Sequence, residues 1–468
     1  MSWRGSSPRL DSDVRIASLE TYLRTDRLRV PLKFGNSILE EVPILLVKVT
    51  VENAKGATAE GWGAMPLSDA WAFPDPGVKR DRKLKAMELI GKETCHMMAG
   101  KYRTKYSHPI DMMLASKNEM MRISKKVRTE LRLETPVPTL AVLVSTSPLD
   151  AALHDAFGRA NRICSYDGYG PDYMARDLSY YLGKGFEGTY ISDFLRTKKT
   201  KRLAVFHLVG GVDKLRGEEV DSGDPMDGLP VALEDWVDRE GVFCLKVKLT
   251  GVNIDWDVER TKSVAEVASE VLRRKGRRKI YLSVDSNELN PSPDATLEYL
   301  RKLRRASRTA YDSLLYLEQP TDRDLRRHMF SMKAVSKLKP VLADEGVTDL
   351  DDLELAMRTG WSGLAVKTCK WHSSSLLYIA YMERRGIPYS VQDLTCPGIA
   401  LVHSASLAAR SRPIKGFEYN ARQYVPFGWD AVREKHTTLF NVKDGMVETD
   451  SLQPTGLGYS HERIVPRS

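Results

Sequence analysis

Charged residues end five successive apolar runs in the second half of the chain, and their order suggests metal-assisted acid–base chemistry. In chain order they are Lys246 and Lys248, Asp285, Glu318, Asp344 and Lys367. Three carboxylates can each donate an oxygen to a hard cation such as Mg²⁺, which prefers octahedral oxygen coordination. A lysine whose pKa is lowered by its surroundings can take a proton from carbon. Together these residue types suit acid–base chemistry beside a bound divalent cation.

Each of these charges taken alone has a simpler explanation, since a charged residue after an apolar strand often marks only where the chain meets water. The ordered series over five consecutive runs favours a functional site instead. Lys246 and Lys248 are two residues apart, so a strand places their side chains on one face, roughly 6.5–7 Å apart. The sequence therefore predicts that the three lysines and three carboxylates of this series meet in a single cluster.

The elements that must position these residues repeat one unit from residue 204 onward, an apolar run followed by a helical pattern. This repeat predicts an α/β fold with a (β/α)7-8 TIM-like barrel. In such a barrel the last residues of the strands meet at the C-terminal mouth, where catalysis in this fold resides. The apolar runs are residues 204–209, 242–248, 280–285, 314–318, 341–344, 364–367, 389–391 and 414–417.

The N-terminal part differs in character and predicts an α+β capping domain. Residues 45–52 alternate apolar and polar side chains, as in a half-buried antiparallel strand. Ser147 and Pro148 are expected to begin a helix, since Ser is a good N-cap and Pro a good first helical residue. Asp444 and Gly445 predict the turn of a C-terminal hairpin that joins the capping sheet. The predicted divisions are a polar tail at 1–13, the N-terminal capping domain at 14–150, the barrel at 151–415 and a C-terminal segment at 416–468 that completes the cap.

The motifs resemble those of the enolase superfamily. Within it they are most similar to the muconate-lactonizing subgroup, which also contains o-succinylbenzoate synthases and dipeptide epimerases. They are Lys-Val-Lys248, Asp285-Ser-Asn287, Glu318-Gln-Pro320, Asp344-Glu345, Lys367, Gly61-Trp62-Gly63 and Leu153-His-Asp155-Ala-Phe-Gly158. The resemblance implies that Asp285, Glu318 and Asp344 bind one Mg²⁺ per subunit. It implies that Lys248 and Lys367 are acid–base residues on opposite faces of the substrate and that Lys246 neutralises the enolate oxygen. The residues expected to contact substrate or support this site are Asn287, Glu345, Asp393, Glu418 and Trp62.

Departures from the family pattern leave the reaction open. The Gly-Gly pair that the family often carries after the strand-six lysine is absent, and Lys370 competes with Lys367 for its role. Strand eight ends Glu418-Tyr-Asn420 rather than in the Asp-x-Asp of dipeptide epimerases, so a dipeptide substrate is disfavoured. The prediction is therefore Mg-dependent abstraction of an α-proton from a small carboxylate through a metal-stabilised enolate, then racemisation or epimerisation, cycloisomerisation or dehydration.

Two alternatives remain at this point. One is a metal-binding barrel with a non-catalytic binding role, although such a role does not require two bases. The other is a mandelate-racemase-like acid-sugar dehydratase, which would use a His–Asp dyad. Asp is needed for that dyad at the end of strand six, where Lys367 stands, and His403 is expected to be a packed helix residue.

Composition bounds the partners and the setting. The 468 residues carry a net charge of +9, concentrated in a basic run at residues 273–279. That run lacks interleaved aromatic residues and is expected to be a solvated loop rather than a nucleic-acid or other polyanion site. Five scattered cysteines without a CxxC pair argue against a disulfide framework and indicate a reducing, cytoplasmic setting. No membrane segment is expected, and the chain is predicted to form a homo-oligomer.

Overall fold

A computed structural model describes residues 9–34, 37–461 and 464, in which an antiparallel capping sheet and its helices cover one end of a closed parallel barrel. Residues 1–8 of the predicted polar tail and part of the 416–468 segment lie outside the described residues. Within the described residues, no helix has the length and apolar character needed to cross a membrane. The predicted fold class is confirmed.

The capping sheet consists of three antiparallel strands in the order β1 (Val14–Phe34), β2 (Ser37–Asn53) and β3 (Thr58–Pro66). Its inner face is apolar because alternate residues of β2, among them Val47, Val49 and Val51, are fully buried. Five helices pack around this sheet: α1 (Asp69–Ala72), α2 (Arg80–Lys101), α3 (Pro109–Leu114), α4 (Lys117–Glu130) and α5 (Thr139–Ala160).

Helix α5 is the central, almost wholly buried helix that leads from the cap into the barrel. The prediction that Ser147 and Pro148 begin this helix is wrong, because the helix starts at Thr139 and both residues lie in its middle. Proline has no N–H to donate to the carbonyl four residues earlier. Here the Ser147 hydroxyl donates to the nearby carbonyl of Val144 at 2.9 Å, so that acceptor keeps a partner.

Eight parallel strands form the barrel, and all eight overlap the predicted apolar runs. They are β4 (Arg202–Val209), β5 (Cys244–Lys248), β6 (Tyr281–Asp285), β7 (Leu314–Glu318), β8 (Val341–Ala343), β9 (Gly363–Lys367), β10 (Tyr389–Gln392) and β11 (Gly416–Glu418). Each pairs with the next, and β11 pairs with β4 to close the ring. The second strand β5 and the sixth strand β9 therefore stand on opposite sides of the barrel.

Helices surround the barrel, most of them between consecutive strands. They are α6 (Ser179–Leu182), before β4, and then α7 (Leu233–Glu240), α8 (Ile254–Arg274), α9 (Pro293–Ala306), α10 (Arg308–Ser313), α11 (Lys333–Ser336), α12 (Leu350–Arg358), α13 (His372–Arg385), α14 (Ile399–Arg410), α15 (Ala421–Tyr424), α16 (Asp430–Lys435) and α17 (Thr437–Phe440). Inside the barrel, a small apolar cluster of Ala204, Phe206, Cys244, Tyr316 and Leu342 forms a floor. Two residues beyond several of these positions, the inward side chains become charged.

The C-terminal segment contacts both parts of the molecule. Its strand β12 (Met446–Glu448) pairs antiparallel with barrel strand β4, so the prediction that this hairpin joins the capping sheet is wrong. The eighth strand β11 also lies in the barrel and starts at the predicted boundary of residue 416. Residues beyond β12 return to the cap, where the Leu457 N–H donates to Asp155 of α5 at 2.8 Å.

The basic run at residues 273–279 spans the end of α8 and the loop before β6, at the barrel end opposite the mouth. Three of its side chains pair with carboxylates of the same chain, which are Arg274 with Glu270, Lys275 with Asp238 and Arg277 with Asp444. The five cysteines are all free thiols.

Candidate active site

The inward side chains of β5 to β7 begin a chain of alternating charge at the barrel mouth. Lys248 Nζ lies 2.5 Å from Asp285 Oδ2, and Lys246 Nζ lies 3.2 Å from the same oxygen. Lys246 also contacts Glu318 Oε1 at 2.9 Å. Both lysines thus approach Asp285 from the same face of β5, as their spacing in the sequence predicts.

The chain of charges continues across β8 and β9. Lys367 Nζ lies 3.6 Å from Glu318 Oε1 and 2.6 Å from Asp344 Oδ2. Lys370 reaches the other oxygen, Asp344 Oδ1, at 2.9 Å. It comes from the short 3-10 turn Thr368–Lys370 directly after β9. Lys370 is thus a member of the site together with Lys367, and the two share one carboxylate.

Burial and pairing set the ionisation of these groups. Burial opposes the charge of Asp285, but Lys248 and Lys246 prevail and lower its pKa to about 2. Burial raises the pKa of Glu318 to about 7 even beside Lys246. For Lys367, burial acts against the charge, yet Asp344 and Glu318 raise its pKa well above the usual value. The site therefore holds Lys367 protonated.

The last two barrel strands add carboxylates beside Lys246. Glu418 Oε2 lies 3.2 Å from Lys246 Nζ, and the Asn420 side-chain amide donates to Glu418 Oε1 at 2.5 Å. Asp393 accepts the backbone N–H groups of Thr395 at 3.0 Å and Asn420 at 3.1 Å. Burial, with Glu418 as the next cause, raises the pKa of Asp393 to about 7.

The loop after β6 is strained where it serves the site. Asn287 has φ of 45° and Glu288 has φ of 72°, a region that costs free energy for residues other than glycine. This conformation lets the Asn287 N–H donate to Asp285 Oδ1 at 2.8 Å, while its side-chain oxygen accepts from Lys248 at 3.0 Å. Glu288 forms an ion pair with Arg323 of the next loop at 2.5 Å.

These charges surround a small cavity of about 50 Å³ that the capping domain closes from above. Lys246, Lys248 and Lys367 line it from the barrel. The cap contributes Leu39, Ser68, Ala70 and Trp71. Leu208, Asn287, Asp393, Leu394, Thr395, Glu418 and Asn420 complete the wall. A larger cleft of about 760 Å³ beside α7 and α15–α17 lies away from these charges.

The two tryptophans near the cap differ in position. Trp62 stacks on Tyr22 in the capping sheet, with ring centroids 5.7 Å apart. Trp71 instead lines the cavity, and its ring lies 4.8 Å from Lys367 Nζ and 5.8 Å from Lys370 Nζ. Its indole N–H donates to Glu345 Oε1 at 2.7 Å. In the sequence, Trp71 lies where the resemblance implies a lid loop of the cap, with substrate contact and plain packing equally open, and folding brings it beside the lysines that follow β9.

A metal could be held by the carboxylates of β6, β7 and the end of β8. Within residues 9–34, 37–461 and 464, no three His, Cys, Asp or Glu side chains already form a metal-binding cluster. Lysine ammonium groups lie between the three acids. The donor set nevertheless suits Mg²⁺, because carboxylate and amide oxygens are hard ligands. Two buried oxygens nearby, Glu345 Oε2 and Gln392 Oε1, accept no hydrogen bond from any residue that the structure describes.

Gln392, at the end of β10, was missed by the sequence analysis. Its side-chain amide donates to Glu318 Oε2, which orients that carboxylate from the far side of the barrel. The signal available was only its place at the end of the seventh apolar run. An uncharged residue there does not stand out from ordinary strand ends.

His372 and His403 lie in a buried polar network outside the cavity. His403 Nε2 and His372 Nδ1 are 2.8 Å apart, and the Tyr169 hydroxyl lies between His372 and His154. Both histidines are buried in helices α13 and α14. Neither histidine lines the cavity among the described residues.

Known proteins resemble the chain in sequence over its second half. The sequence model of the family described as "enolase C-terminal domain-like" matches residues 229–463. No curated protein matches the chain by sequence.

Solved structures are similar along nearly the whole chain at low identity. A dipeptide epimerase from Enterococcus faecalis, complexed with Mg and L-Leu-L-Tyr, has a TM-score of 0.60 and 16% identity over 96% of this chain and 100% of its own. A muconate lactonizing enzyme from Mycobacterium smegmatis has a TM-score of 0.59 and 16% identity, over 95% of this chain and 96% of its own. An N-succinyl Arg/Lys racemase from Bacillus cereus has a TM-score of 0.59 and 15% identity, over 95% of each chain. At these identities the likeness establishes the fold.

Proposed function

Since the chain belongs to the enolase superfamily, we propose that it is a Mg-dependent enzyme that removes the α-proton of a small carboxylate substrate. The observation that carries the proposal is the chain of alternating charge from Lys248 to Lys367 around three carboxylates. Both lysines line one cavity, although they come from opposite sides of the barrel. A binding protein has no need of two amines placed in this way.

We assign the metal to Asp285, Glu318 and Asp344. A divalent cation there would stabilise negative charge developing on the substrate carboxylate and offset the effect of the three acids on the lysines. Gln392 orients Glu318, and Asn287 orients Asp285. Such supporting contacts fix the direction in which each carboxylate oxygen points.

The lysines perform the proton transfers in this proposal. One neutral lysine takes the α-proton, and the electron pair left on carbon delocalises into the substrate carboxylate. A protonated lysine on the opposite face can then return a proton, which inverts the carbon. When Lys248 takes the α-proton, Lys367 is the donor on the opposite face, and the two roles reverse for the other enantiomer. Lys246 lies between Asp285 and Glu318, where its positive charge would help to stabilise the negative charge on the substrate carboxylate.

The reaction that follows proton removal is left to experiment. Racemisation or epimerisation needs both lysines, whereas cycloisomerisation or dehydration needs one base and a path for the leaving group. The similar structures include epimerases, a racemase and a lactonizing enzyme, so the fold does not choose among these reactions. Two-sided placement of the amines favours racemisation or epimerisation.

Hydrogen–deuterium exchange tests the proposal directly. The protein is incubated in deuterated water with Mg²⁺ and a panel of chiral carboxylates, and deuterium at the α-carbon is followed by NMR. We expect wild-type protein to exchange both enantiomers of a substrate. Lys248→Ala should stop exchange of one enantiomer and Lys367→Ala that of the other, because each enantiomer presents its proton to one face.

Lys302→Ala is the matched control, since this lysine is on the outer helix α9, where it pairs with Asp255 and Glu298. It should exchange both enantiomers at the wild-type rate. Absence of Mg-dependent exchange with every carboxylate tested would count against the proposed function. If only one of the two lysine variants loses exchange, and loses it for both enantiomers, the enzyme uses a single base.

A further inference from the structure

Trp71 of the capping domain forms the wall of the site nearest the strand-six lysines. Its ring lies 4.8 Å from Lys367 Nζ and 5.8 Å from Lys370 Nζ, and its side chain is only 2% exposed. A cation over the face of an indole ring is attracted by the ring quadrupole, more strongly where water is excluded. The ring thus lies beside the two lysines that share Asp344.

Trp71 is fixed in place by the barrel rather than by its own short helix α1. Its indole N–H donates to Glu345 Oε1 at 2.7 Å, in the loop after the fifth strand. Its backbone carbonyl accepts from Arg323 Nη1 at 3.0 Å, in the loop after the fourth strand. Arg323 is itself held by Glu288, in the loop after the third strand. We call these four residues, Trp71, Glu345, Arg323 and Glu288, the cap latch.

The other lysine of the proposed pair is held differently. Lys248 is bound by Asp285 and by Asn287, both at the end of the third strand, and its side chain is 15% exposed. The ring of Trp71 therefore lies beside the lysines that follow the sixth strand, whereas Lys248 is held from the end of the third strand. This asymmetry within the barrel mouth distinguishes the surroundings of the two amines.

We propose that Trp71 is a positioning residue that holds Lys367 against Asp344 and keeps water from it, so that the Lys367 half of the reaction depends on the cap latch. The inference rests on the proposed function, in which Lys248 and Lys367 serve opposite faces. It adds that the cap sets the geometry of one face alone. A displacement of about 1 Å at a reacting group can lower a rate by about 10²-fold.

The test compares the two enantiomers in the exchange assay. Lys367→Ala identifies the enantiomer that depends on Lys367. Trp71→Leu removes the ring and should lower exchange of that enantiomer by about 10²-fold, with the other enantiomer within a few fold of wild type. Trp71→Phe keeps a ring but loses the hydrogen bond to Glu345. Its exchange rate for the Lys367-dependent enantiomer should therefore lie between those of wild type and Trp71→Leu. An equal loss for both enantiomers, or no loss, would overturn the proposal.

Trp361→Phe is the matched control. Trp361 is also a buried tryptophan, but it precedes the first residue of β9, whereas Lys367 is the last residue of that strand. This variant should leave the ratio of the two enantiomers unchanged. Glu345→Leu removes the acceptor of the indole N–H and should shift the ratio in the direction of Trp71→Phe.

Amine labelling separates failure of this inference from failure of the proposed function. Acetic anhydride is added briefly to the folded protein, and modification of each lysine is read by mass spectrometry. Trp71→Leu should increase labelling of Lys367 and Lys370 several fold and leave Lys248 unchanged, whether or not a substrate is known. If wild-type protein exchanges no carboxylate, the proposed function fails, and unchanged labelling in Trp71→Leu would still refute the shielding by Trp71.

Discussion

At the scale of single residues, the site consists of buried charges that each have an opposite charge beside them. Glu318 contacts Lys246 and Lys367, and Asp344 contacts Lys367 and Lys370. A buried ion is stable only when it is paired, so removal of one member leaves its partners uncompensated. The alternation therefore explains how so many ionisable groups can occupy one barrel mouth.

Glu318 is the central carboxylate, and its replacement tests the metal assignment. We expect Glu318→Gln to weaken Mg²⁺ binding by at least about 10–100-fold, the range seen when even a supporting contact of a metal ligand is lost. Isothermal titration with MgCl₂ measures the affinity, and the exchange assay measures activity. Glu298→Gln, on the outer helix α9, is the control and should bind as wild type. Wild-type affinity in Glu318→Gln would refute the assignment.

At the scale of elements, the cap depends on close contact between β3 and α5. Gly61 and Gly63 of β3 face α5, where a Cβ on Gly63 would lie 1.9 Å from the carbonyl oxygen of Pro148. A Cβ on Gly61 would lie 2.3 Å from the backbone of Ala152. Glycine is required at both positions because the obstacle is helix backbone, which cannot rotate aside.

Gly63→Ala should therefore destabilise the protein. We expect the free energy of unfolding to fall by about 1–3 kcal/mol, the usual penalty of overpacking. Urea unfolding followed by circular dichroism measures it. Gly100→Ala is the control, since Gly100 lies in helix α2 and a Cβ added there would meet no other part of the described chain within 4 Å. That change should be neutral or stabilising by up to about 1 kcal/mol. Equal stability of the two variants would contradict the packing argument.

Buried histidines make helix packing sensitive to acid. His108 precedes α3, where its Nδ1 accepts the N–H of Ile110 and its Nε2 lies 3.3 Å from the carbonyl of Gly168. Burial, with His154 as the next cause, lowers the pKa of His108 from 6.5 to about 3. The folded state thus keeps this ring neutral, whereas the unfolded chain takes up a proton below about pH 6.5.

The sign of the pH effect follows from this difference. Between pH 6.5 and about 3 the unfolded state binds more protons, so stability falls as pH is lowered. One such group contributes up to about 1.4 kcal/mol per pH unit. His108→Gln should be less stable at pH 7 but should lose less stability between pH 6.5 and 4, as measured by urea unfolding at each pH. An equally steep loss in the variant would show that His108 is not responsible.

At the scale of the whole molecule, Asp155 connects its own helix α5 to the capping strand β3 and to the C-terminal segment. Its carboxylate accepts the N–H of Trp62 at 3.3 Å and of Leu457 at 2.8 Å. It also pairs with Arg159 at 3.1 Å and with His461 at 2.5 Å. A single buried residue therefore connects segments that are about three hundred positions apart in sequence.

Asp155→Ala should loosen the C-terminal segment before the rest of the fold. Each buried N–H left without an acceptor costs about 1–3 kcal/mol. We expect faster amide hydrogen exchange in residues 449–461 and in β3, measured by mass spectrometry. Asp312→Ala, an exposed residue of α10, should leave these rates unchanged. Unchanged exchange at the C-terminal segment in Asp155→Ala would show that other contacts hold it.

From the sequence alone, the barrel could be predicted, and so could the meeting of most of these charges at its mouth. Apolar runs with charged last residues identify both the strands and their mouth, because strand ends in a closed parallel barrel must meet. This local rule predicted the convergence of Lys246, Lys367, Glu318 and Asp344, and the contacts of the two lysines with these carboxylates agree with it.

Contacts between distant segments could not be predicted from local patterns in the sequence. Lys370 reaches Asp344 only because a 3-10 turn follows β9, and Gln392 reaches Glu318 only across the barrel. Trp71 enters the site from another domain, and β12 pairs with β4 rather than with the capping sheet. Each of these depends on which distant surfaces meet when the core is buried. Pairing between distant segments is set by the packing of the whole chain, and no stretch of sequence encodes it alone.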